Sequence, residues 1–293
     1  MSIIDGRAIA SRRQGALREE VAGLAERGIT PTIAPIIVGD DPSARLYYRA
    51  KGRLARELGI GYAGTELPGD VSQEELLNRI DDLNNDPSID GIFVEMPLPK
   101  HISREAVARS VSFEKDVDGI SPLSLGTLIV ASASVENYRQ LQETAGEALP
   151  ATAHAVMEIL LEEGVQLAGA NAVVVGDSLS VGRPLSILLL TEQATVTVCH
   201  IRTRSLEQHT KRADVLCVAV GHPNLITSSM VKEGAVVVDI GINVTEDGVV
   251  GDVDYDGVAP LAGLITPVPG GVGPMTTTMI MQHVVARASH RAR

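Results

Sequence analysis

The sequence predicts an α/β protein built from two α/β domains, the second a Rossmann-like dinucleotide-binding domain. Three observations carry that prediction. First, short β-branched runs alternate with amphipathic stretches in both halves of the chain, the pattern of a parallel sheet covered by helices. Second, the alternation lapses between residues 112 and 150 and restarts after Pro150, which marks a domain junction. Third, the strand Ala172-Val173-Val174-Val175 runs into Gly176 and a helix start, the geometry that presents backbone N–H groups to phosphate.

Taken in order, residues 7–27 read as a helix, with Ile9, Leu17, Val21 and Leu24 at roughly helical spacing. The run from Ile33 to Val38 reads as a buried strand, broken by Gly39-Asp40-Asp41-Pro42. Asp41 suits a helix N-cap, Pro42 the first helical position, and Gly59 the end of that helix. Leu46, Ala50, Leu54 and Leu58 recur every four residues and predict its apolar stripe. Tyr47 and Lys51 lie together beside the stripe. A second strand is expected from Gly61 to Leu67. A capping box, Ser72-Gln73-Glu74-Glu75, then opens a helix carrying Leu76, Leu77, Ile80 and Leu83. The run from Ile89 to Met96 is the third strand, ended by Pro97-Leu98-Pro99, and Ser103 to Val111 a short helix. Lys115-Asp116-Val117-Asp118-Gly119 is a turn. Beyond Pro150 the pattern gives helix 152–163, strand 172–175, helix 181–191, strand 194–199, helix 205–212 and strands 215–220 and 235–239. Thr266 to Thr276 holds three glycines and three prolines, so it is a loop whose backbone can approach a ligand closely. A final helix, 275–288, follows.

Composition narrows the function classes. A net charge of −12 without a dense Lys/Arg patch argues against nucleic-acid binding. Trp is absent and Phe occurs twice, which leaves few platforms for stacking bases. No apolar run approaches the length of a membrane span, and the N-terminus carries no signal-peptide pattern. Cys199 and Cys217 sit in apolar β-like runs and read as core residues, neither a disulfide nor a metal site. The expectation is a soluble, cytoplasmic, metal-free protein acting on a small molecule.

Two stretches carry chemistry. A phenol and an amine on one rigid helix face, Tyr47 and Lys51, can pass a proton or hold a water; the bland alternative is a surface pair whose stems cover the core edge. The turn Gly176-Asp177-Ser178-Leu179-Ser180-Val181-Gly182 lacks the usual G-x-G-x-x-G, its glycines being six apart, so its spacing alone also fits an ordinary strand–helix turn. After the next strand come His200-Ile201-Arg202-Thr203-Arg204. Either arginine could hold a 2′-phosphate at the adenosine ribose, or both are simply solvated.

Together these segments resemble the bifunctional methylenetetrahydrofolate dehydrogenase/methenyltetrahydrofolate cyclohydrolase family. The matching stretches run nearly the whole length. They are Ile3-Ile4-Asp5-Gly6, the Y-x-x-x-K of Tyr47 to Lys51, Pro97-Leu98-Pro99, Lys115 to Gly119, Val175-Gly176 with Val181-Gly182-Arg183-Pro184, Val238-Asp239-Ile240-Gly241-Ile242-Asn243, Gly251-Asp252-Val253, and Pro267 to Thr276. The resemblance implies a homodimer with folate in a cleft and NADP or NAD on the second domain. It implies a folate-binding catalytic domain over 1–149, a cofactor domain over 150–274, and a C-terminal helix, 275–293, returning to the first. Lys51 would be the central catalytic residue, with Tyr47 and Glu95 beside it. Tyr47, Val94, Glu95, Met96, Asp118, Pro269, Gly270, Gly271, Val272 and Gly273 would contact folate. Gly176, Asp177, Ser178, Val181, Gly182, Ile201, Arg202 and Ile242 would contact the cofactor.

The chain departs from the family pattern at several of these places. V-Q-L-P-L-P here reads Val94-Glu95-Met96-Pro97-Leu98-Pro99, so a glutamate replaces the catalytic glutamine. P-C-T-P-x-G reads Pro150-Ala151-Thr152-Ala153-His154-Ala155, and D-G-[FL]-H-P reads Asp118-Gly119-Ile120-Ser121-Pro122. The cofactor turn has Asp177 for an arginine, and Ile201 stands for a common serine. Ionised Glu95 would favour the charged form of Lys51 and oppose base catalysis, whereas protonated Glu95 would mimic glutamine. The main expectation is therefore a methylenetetrahydrofolate dehydrogenase with doubtful cyclohydrolase activity. A fully bifunctional enzyme and a non-catalytic folate-binding homologue are the alternatives. Asp177 and Ile201 predict a weakened NADP preference, with NAD accepted comparably or better.

Overall fold

The computed structural model describes residues 2–246 and 248–291. It is a mixed α/β structure with parallel sheets, as expected. In chain order its first elements are β1 (Ser2–Ile3), α1 (Gly6–Glu26), β2 (Thr32–Val38), α2 (Pro42–Leu58), β3 (Gly61–Tyr62), β4 (Thr65–Leu67), α3 (Gln73–Asn85), β5 (Gly91–Val94), α4 (Arg104–Ser110), α5 (Pro122–Ser132) and α6 (Tyr138–Ala145). Then come α7 (Ala151–Glu162), β6 (Asn171–Val175), α8 (Gly182–Thr191), β7 (Thr195–Cys199), α9 (Leu206–Thr210), β8 (Val215–Val218), β9 (Val236–Asp239), β10 (Asn243–Thr245), β11 (Gly248–Val250), α10 (Tyr255–Val258), β12 (Leu264–Ile265) and α11 (Val272–His290). The chain divides into two compact units. One takes in residues 2–11, 128–145 and 152–276, the other 12–127, 146–151 and 277–291.

In the second of these units β2 is the central strand, paired in parallel with β3 and β4 along one edge and with β5 along the other. Its residues are buried on both faces, which explains a run of Ile and Val without alternation. Ile36, Leu76, Ile80 and Ile92 pack into one core beneath it. The expected single strand from Gly61 to Leu67 is split at Ala63-Gly64, where Tyr48 presses in: a Cβ on Gly64 would lie 2.2 Å from the Tyr48 hydroxyl. The capping box forms, the Glu75 amide donating to Ser72 Oγ at 3.1 Å.

Helix α2 has the predicted caps. Asp41 accepts from the amides of Ser43 and Ala44, Pro42 stands at the first position, and Gly59 closes the helix in the left-handed conformation at φ 79°. The predicted stripe needs correction. Leu46 is 48% exposed, and the buried face is instead Ala44, Tyr48, Lys51, Leu54, Ala55 and Leu58. A four-residue repeat drifts about 40° per step against a 3.6-residue turn. Over three steps Leu46 is therefore carried off the face that holds Leu58.

The other unit holds a parallel six-stranded sheet in the order β1-β12-β9-β8-β6-β7. From β6 the chain steps to β7 on one side and then to β8 on the other. That places a topological switch point between β6 and β8, where doubly wound sheets bind ligands at their carboxyl ends. Cys199 and Cys217 are buried in this sheet as free thiols, and burial pushes the Cys217 thiol up to about 12. Among the described residues no helix is long and apolar enough to cross a membrane, and no cluster of three or more His, Cys, Asp or Glu is placed to hold a metal.

Candidate active site

Lys51 faces inward on α2, and its Nζ donates to both Glu95 oxygens at 2.9 and 3.0 Å. Both side chains are under 5% exposed. The helix puts Lys51 there because positions 44, 48, 51, 55 and 58 form its buried face. Glu95 follows β5 directly, and its amide continues the pairing by donating to the Ile36 carbonyl at 2.8 Å. Phe93, two residues earlier, shares that strand face, and Lys51 Nζ sits 4.1 Å from its ring centroid. Tyr47, half-buried, lies 5.7 Å from the same nitrogen by its ring centroid. Burial pushes the Tyr47 phenol up to about 12, with the Glu95 charge adding to the shift. Burial also raises the Glu95 carboxyl above the usual range, and neighbouring Lys51 offsets this only in part.

Asp118 is presented by a turn that Asp116 organises. The buried Asp116 carboxylate accepts from the amides of Gly119 at 2.9 Å and Ser121 at 2.7 Å, and from the Ser124 hydroxyl at 2.7 Å. Gly119 is required here: its φ is 72°, and a Cβ would meet the Leu149 carbonyl at 2.5 Å. Burial pushes Asp118 up to about 7, Asp116 pushes the same way, and Lys51 opposes both. Asp118 therefore changes protonation close to neutrality. Val94, Met96, Asp118 and Ile120 line one small cavity in this unit.

The unit thus brings together Tyr47, Lys51, Val94, Glu95, Met96 and Asp118. Pro269, Gly270, Gly271, Val272 and Gly273 belong to the other unit. There Gly270 has φ 116°, and the Gly271 amide donates to the Pro267 carbonyl at 2.8 Å. A Cβ on Gly6 would lie 1.8 Å from the Gly271 carbonyl oxygen, so the Gly6 backbone packs directly on this loop. Sequence reasoning missed Phe93 and Asp116. The period-two spacing of Phe93 to Glu95 was a usable signal for the first. Nothing local distinguished Asp116 from any other turn carboxylate.

The candidate cofactor residues gather at the carboxyl ends of β6, β7 and β9. Gly176 directly follows β6 with φ 114°, and a Cβ there would meet the Ala219 carbonyl at 2.2 Å. Ser178 Oγ accepts from the Val181 amide at 3.1 Å and the Gly182 amide at 3.5 Å, capping the start of α8. Asp177 is turned toward Arg183. The guanidinium donates to its carbonyl at 2.9 Å and reaches its carboxylate at 3.3 Å. Ile201 is fully exposed and Arg202 exposed at the end of β7, while Ile242 is half-buried beyond β9.

A strand–glycine–helix turn at the switch point of a parallel sheet, with a lysine–carboxylate site in a second α/β unit, has the layout of a nucleotide-binding α/β enzyme. The comparisons make this specific. The catalytic-domain model of tetrahydrofolate dehydrogenase/cyclohydrolase matches residues 4–118, and the NAD(P)-binding-domain model of the same family matches residues 150–292. The bifunctional protein FolD of Halalkalibacterium halodurans is 46% identical over 286 residues, covering 98% of each chain. The solved bifunctional methylenetetrahydrofolate dehydrogenase/cyclohydrolase FolD of Campylobacter jejuni is 41% identical over 99% of each chain, with a TM-score of 0.90. The Trypanosoma brucei dehydrogenase-cyclohydrolase, solved with NADP and an inhibitor, is 35% identical, covers 100% of this chain and 99% of its own, and has a TM-score of 0.91. The chain belongs to the tetrahydrofolate dehydrogenase/cyclohydrolase family, and it is an NAD(P)-dependent enzyme. The expectation of doubtful cyclohydrolase activity is not supported, because the named relatives are bifunctional; the fully bifunctional alternative fits better.

Proposed function

We propose that this chain is a fully bifunctional enzyme that oxidises 5,10-methylenetetrahydrofolate with NAD(P) and hydrolyses the methenyl product to 10-formyltetrahydrofolate. What supports the second activity is the likeness to relatives named as bifunctional, together with a buried Lys51 whose Nζ has Glu95 as a hydrogen-bond partner. In the first step a hydride leaves the bridging methylene carbon, and the folate nitrogens stabilise the cation left behind. When bound, the nicotinamide supplies the hydride acceptor. The protein's task in that step is to hold two planar ligands in register. In the second step water adds to the methenyl carbon, a carbon–nitrogen bond opens, and one proton is released. Lys51 is the group placed to take and return protons. A proton on Glu95, favoured by its burial, leaves a neutral partner that hydrogen-bonds as glutamine would. Asp118, near its own midpoint at neutrality, would meet the N–H donors of the pterin. Loss of methenyl hydrolysis in a preparation that still transfers hydride would refute the bifunctional reading.

For the cofactor we propose a weakened preference for NADP. Asp177 sets a carboxylate where the family has an arginine, and it engages Arg183. Exposed Arg202 and Arg204 remain available from the end of β7. Side-by-side kcat/KM for NAD and NADP tests this. We further propose a homodimer, to be checked by light scattering, and functional domains that divide at 149/150, with residues 275–291 joining the first domain, a division that differs from the compact units chiefly in residues 2–11 and 128–145; residues 292 and 293 of that final segment lie outside the described residues.

A further inference from the structure

The mechanism leaves two buried carboxylates unused, Asp239 at the end of β9 and Asp252 just after β11; they are 3% and 0% exposed. Asp252 Oδ2 accepts from the amides of Val220 at 2.6 Å and Gly221 at 3.0 Å. Its Oδ1 accepts from the His222 amide at 2.8 Å and from Asn243 Nδ2 at 2.9 Å. Three successive backbone N–H groups thus converge on one internal carboxylate, as a nest converges on an anion. Asp239 in turn accepts from the Asp252 amide at 3.0 Å and the Val253 amide at 2.9 Å, fixing the segment that carries Asp252. Two glycines make room. A Cβ on Gly241 would lie 2.0 Å from Asp252 Cγ, and one on Gly251 would lie 1.8 Å from Asp239 Oδ2.

The segment so held, 220–222, leaves the carboxyl end of β8 at the switch point, against Gly176. Val220 is exposed there, and so are Leu179 after β6 and Ile201 after β7, three apolar side chains at the ends of three neighbouring strands. Neighbouring strands lie about 5 Å apart. The three can therefore form one apolar platform for a flat ring, provided Val220 is kept in place.

We propose that Asp252 is a positioning residue for the dinucleotide: by collecting the 220–222 amides it fixes Val220 in the apolar platform that takes the cofactor's aromatic base. This rests on the proposed function only for the identity of the ligand. The test is calorimetric titration of the full chain with NAD and with NADP, together with the KM for methylenetetrahydrofolate. Asp252→Asn puts an amide donor against backbone donors. It should weaken the better-bound dinucleotide by about tenfold or more, while the folate KM moves less than about twofold. Unchanged dinucleotide affinity in folded Asp252→Asn, or parallel loss of both affinities, overturns the proposal. Should that variant fail to fold, Asn243→Ala decides. It removes one contact to the carboxylate, and dinucleotide binding weaker by about threefold supports the proposal while unchanged binding overturns it. A parent protein that binds neither dinucleotide would instead refute the functional reading on which the ligand's identity rests.

Discussion

Replacing Glu95 with glutamine should speed cyclohydrolysis at neutral pH. The carboxylate lies about 3 Å from Lys51 Nζ, and both groups are buried. At an effective dielectric near 20, two unit charges at that distance attract by about 5.5 kcal/mol. All of that attraction favours the ammonium, the form that cannot accept a proton. Burial raises the Glu95 carboxyl, which weakens its hold on the ammonium form of Lys51. If only a quarter of the attraction survives, about 1.4 kcal/mol, the neutral glutamine still yields about a tenfold gain at pH 7. The glutamine form should also keep its rate at lower pH than the parent. The assay is methenyl hydrolysis across the pH range for both proteins, with thermal unfolding in parallel. The unfolding control matters because breaking a buried pair costs about 3–5 kcal/mol when the remaining partner stays charged. A glutamine variant that is stably folded yet slower at every pH would refute the argument and assign Glu95 a positive role in proton transfer.

Three other outcomes follow from the same geometry. Lys51→Met should lower cyclohydrolase activity by about 10²-fold or more while leaving dinucleotide affinity unchanged, read by methenyl hydrolysis and by titration; undiminished ring opening would remove Lys51 from the mechanism. Asp177→Arg should move the NADP/NAD ratio of kcat/KM toward NADP by about tenfold or more, since it exchanges a repulsive group for a charge-assisted donor; an unaltered ratio would mean that the 2′-phosphate is held elsewhere. His283, 2% exposed and with its Nδ1 2.9 Å from the Val117 carbonyl, is pushed down by burial to about 4. The unfolded chain therefore takes up a proton that the folded chain refuses, and stability falls as pH drops from about 6.5 to about 4, by about 3 kcal/mol in all. His283→Gln should flatten that part of the stability curve in denaturant titrations at pH 7 and pH 4.5.

How far the sequence could be read depended on the range of the interactions involved. Asp41 and Ser72 accept from amides two or three residues on, Gly59 donates its own amide to the Ala55 and Arg56 carbonyls, and Pro42 takes the first helical position; every one of these local features forms. Elements without a local period were not legible. Helix α5, Pro-Leu-Ser-Leu-Gly-Thr-Leu-Ile-Val-Ala-Ser, is apolar nearly all round and interrupted by Gly126, so no stripe marks it. β1 and β12 are two residues each, too short for any alternation; β1 is a strand through its pairing with β12 across more than 260 residues, and β12 through β1 and β9. The Tyr47–Lys51 face was visible, but its burial was not, because the stripe expected beside it was drawn through Leu46.

The least legible part of the site explains most about the chain. Lys51 and Glu95 are 44 residues apart, and no spacing rule connects a helix face to the end of a strand at that distance. The resemblance to a known family placed the two together and marked Glu95 as foreign. The packing adds a direction: burial raises the Glu95 carboxyl and Lys51 offsets the rise only in part. Glu95 ends a strand whose residue two before it, Phe93, sets a ring against the same lysine, so the carboxyl sits among apolar and aromatic groups with one cationic partner. Such a carboxyl is driven toward its neutral form by the same burial that brings it to Lys51. Burial thus moves Glu95 toward the neutral glutamine it replaces, while Lys51 pulls it back toward the charged form. Restoring glutamine removes that opposition, which is why the exchange should help hydrolysis and leave hydride transfer alone.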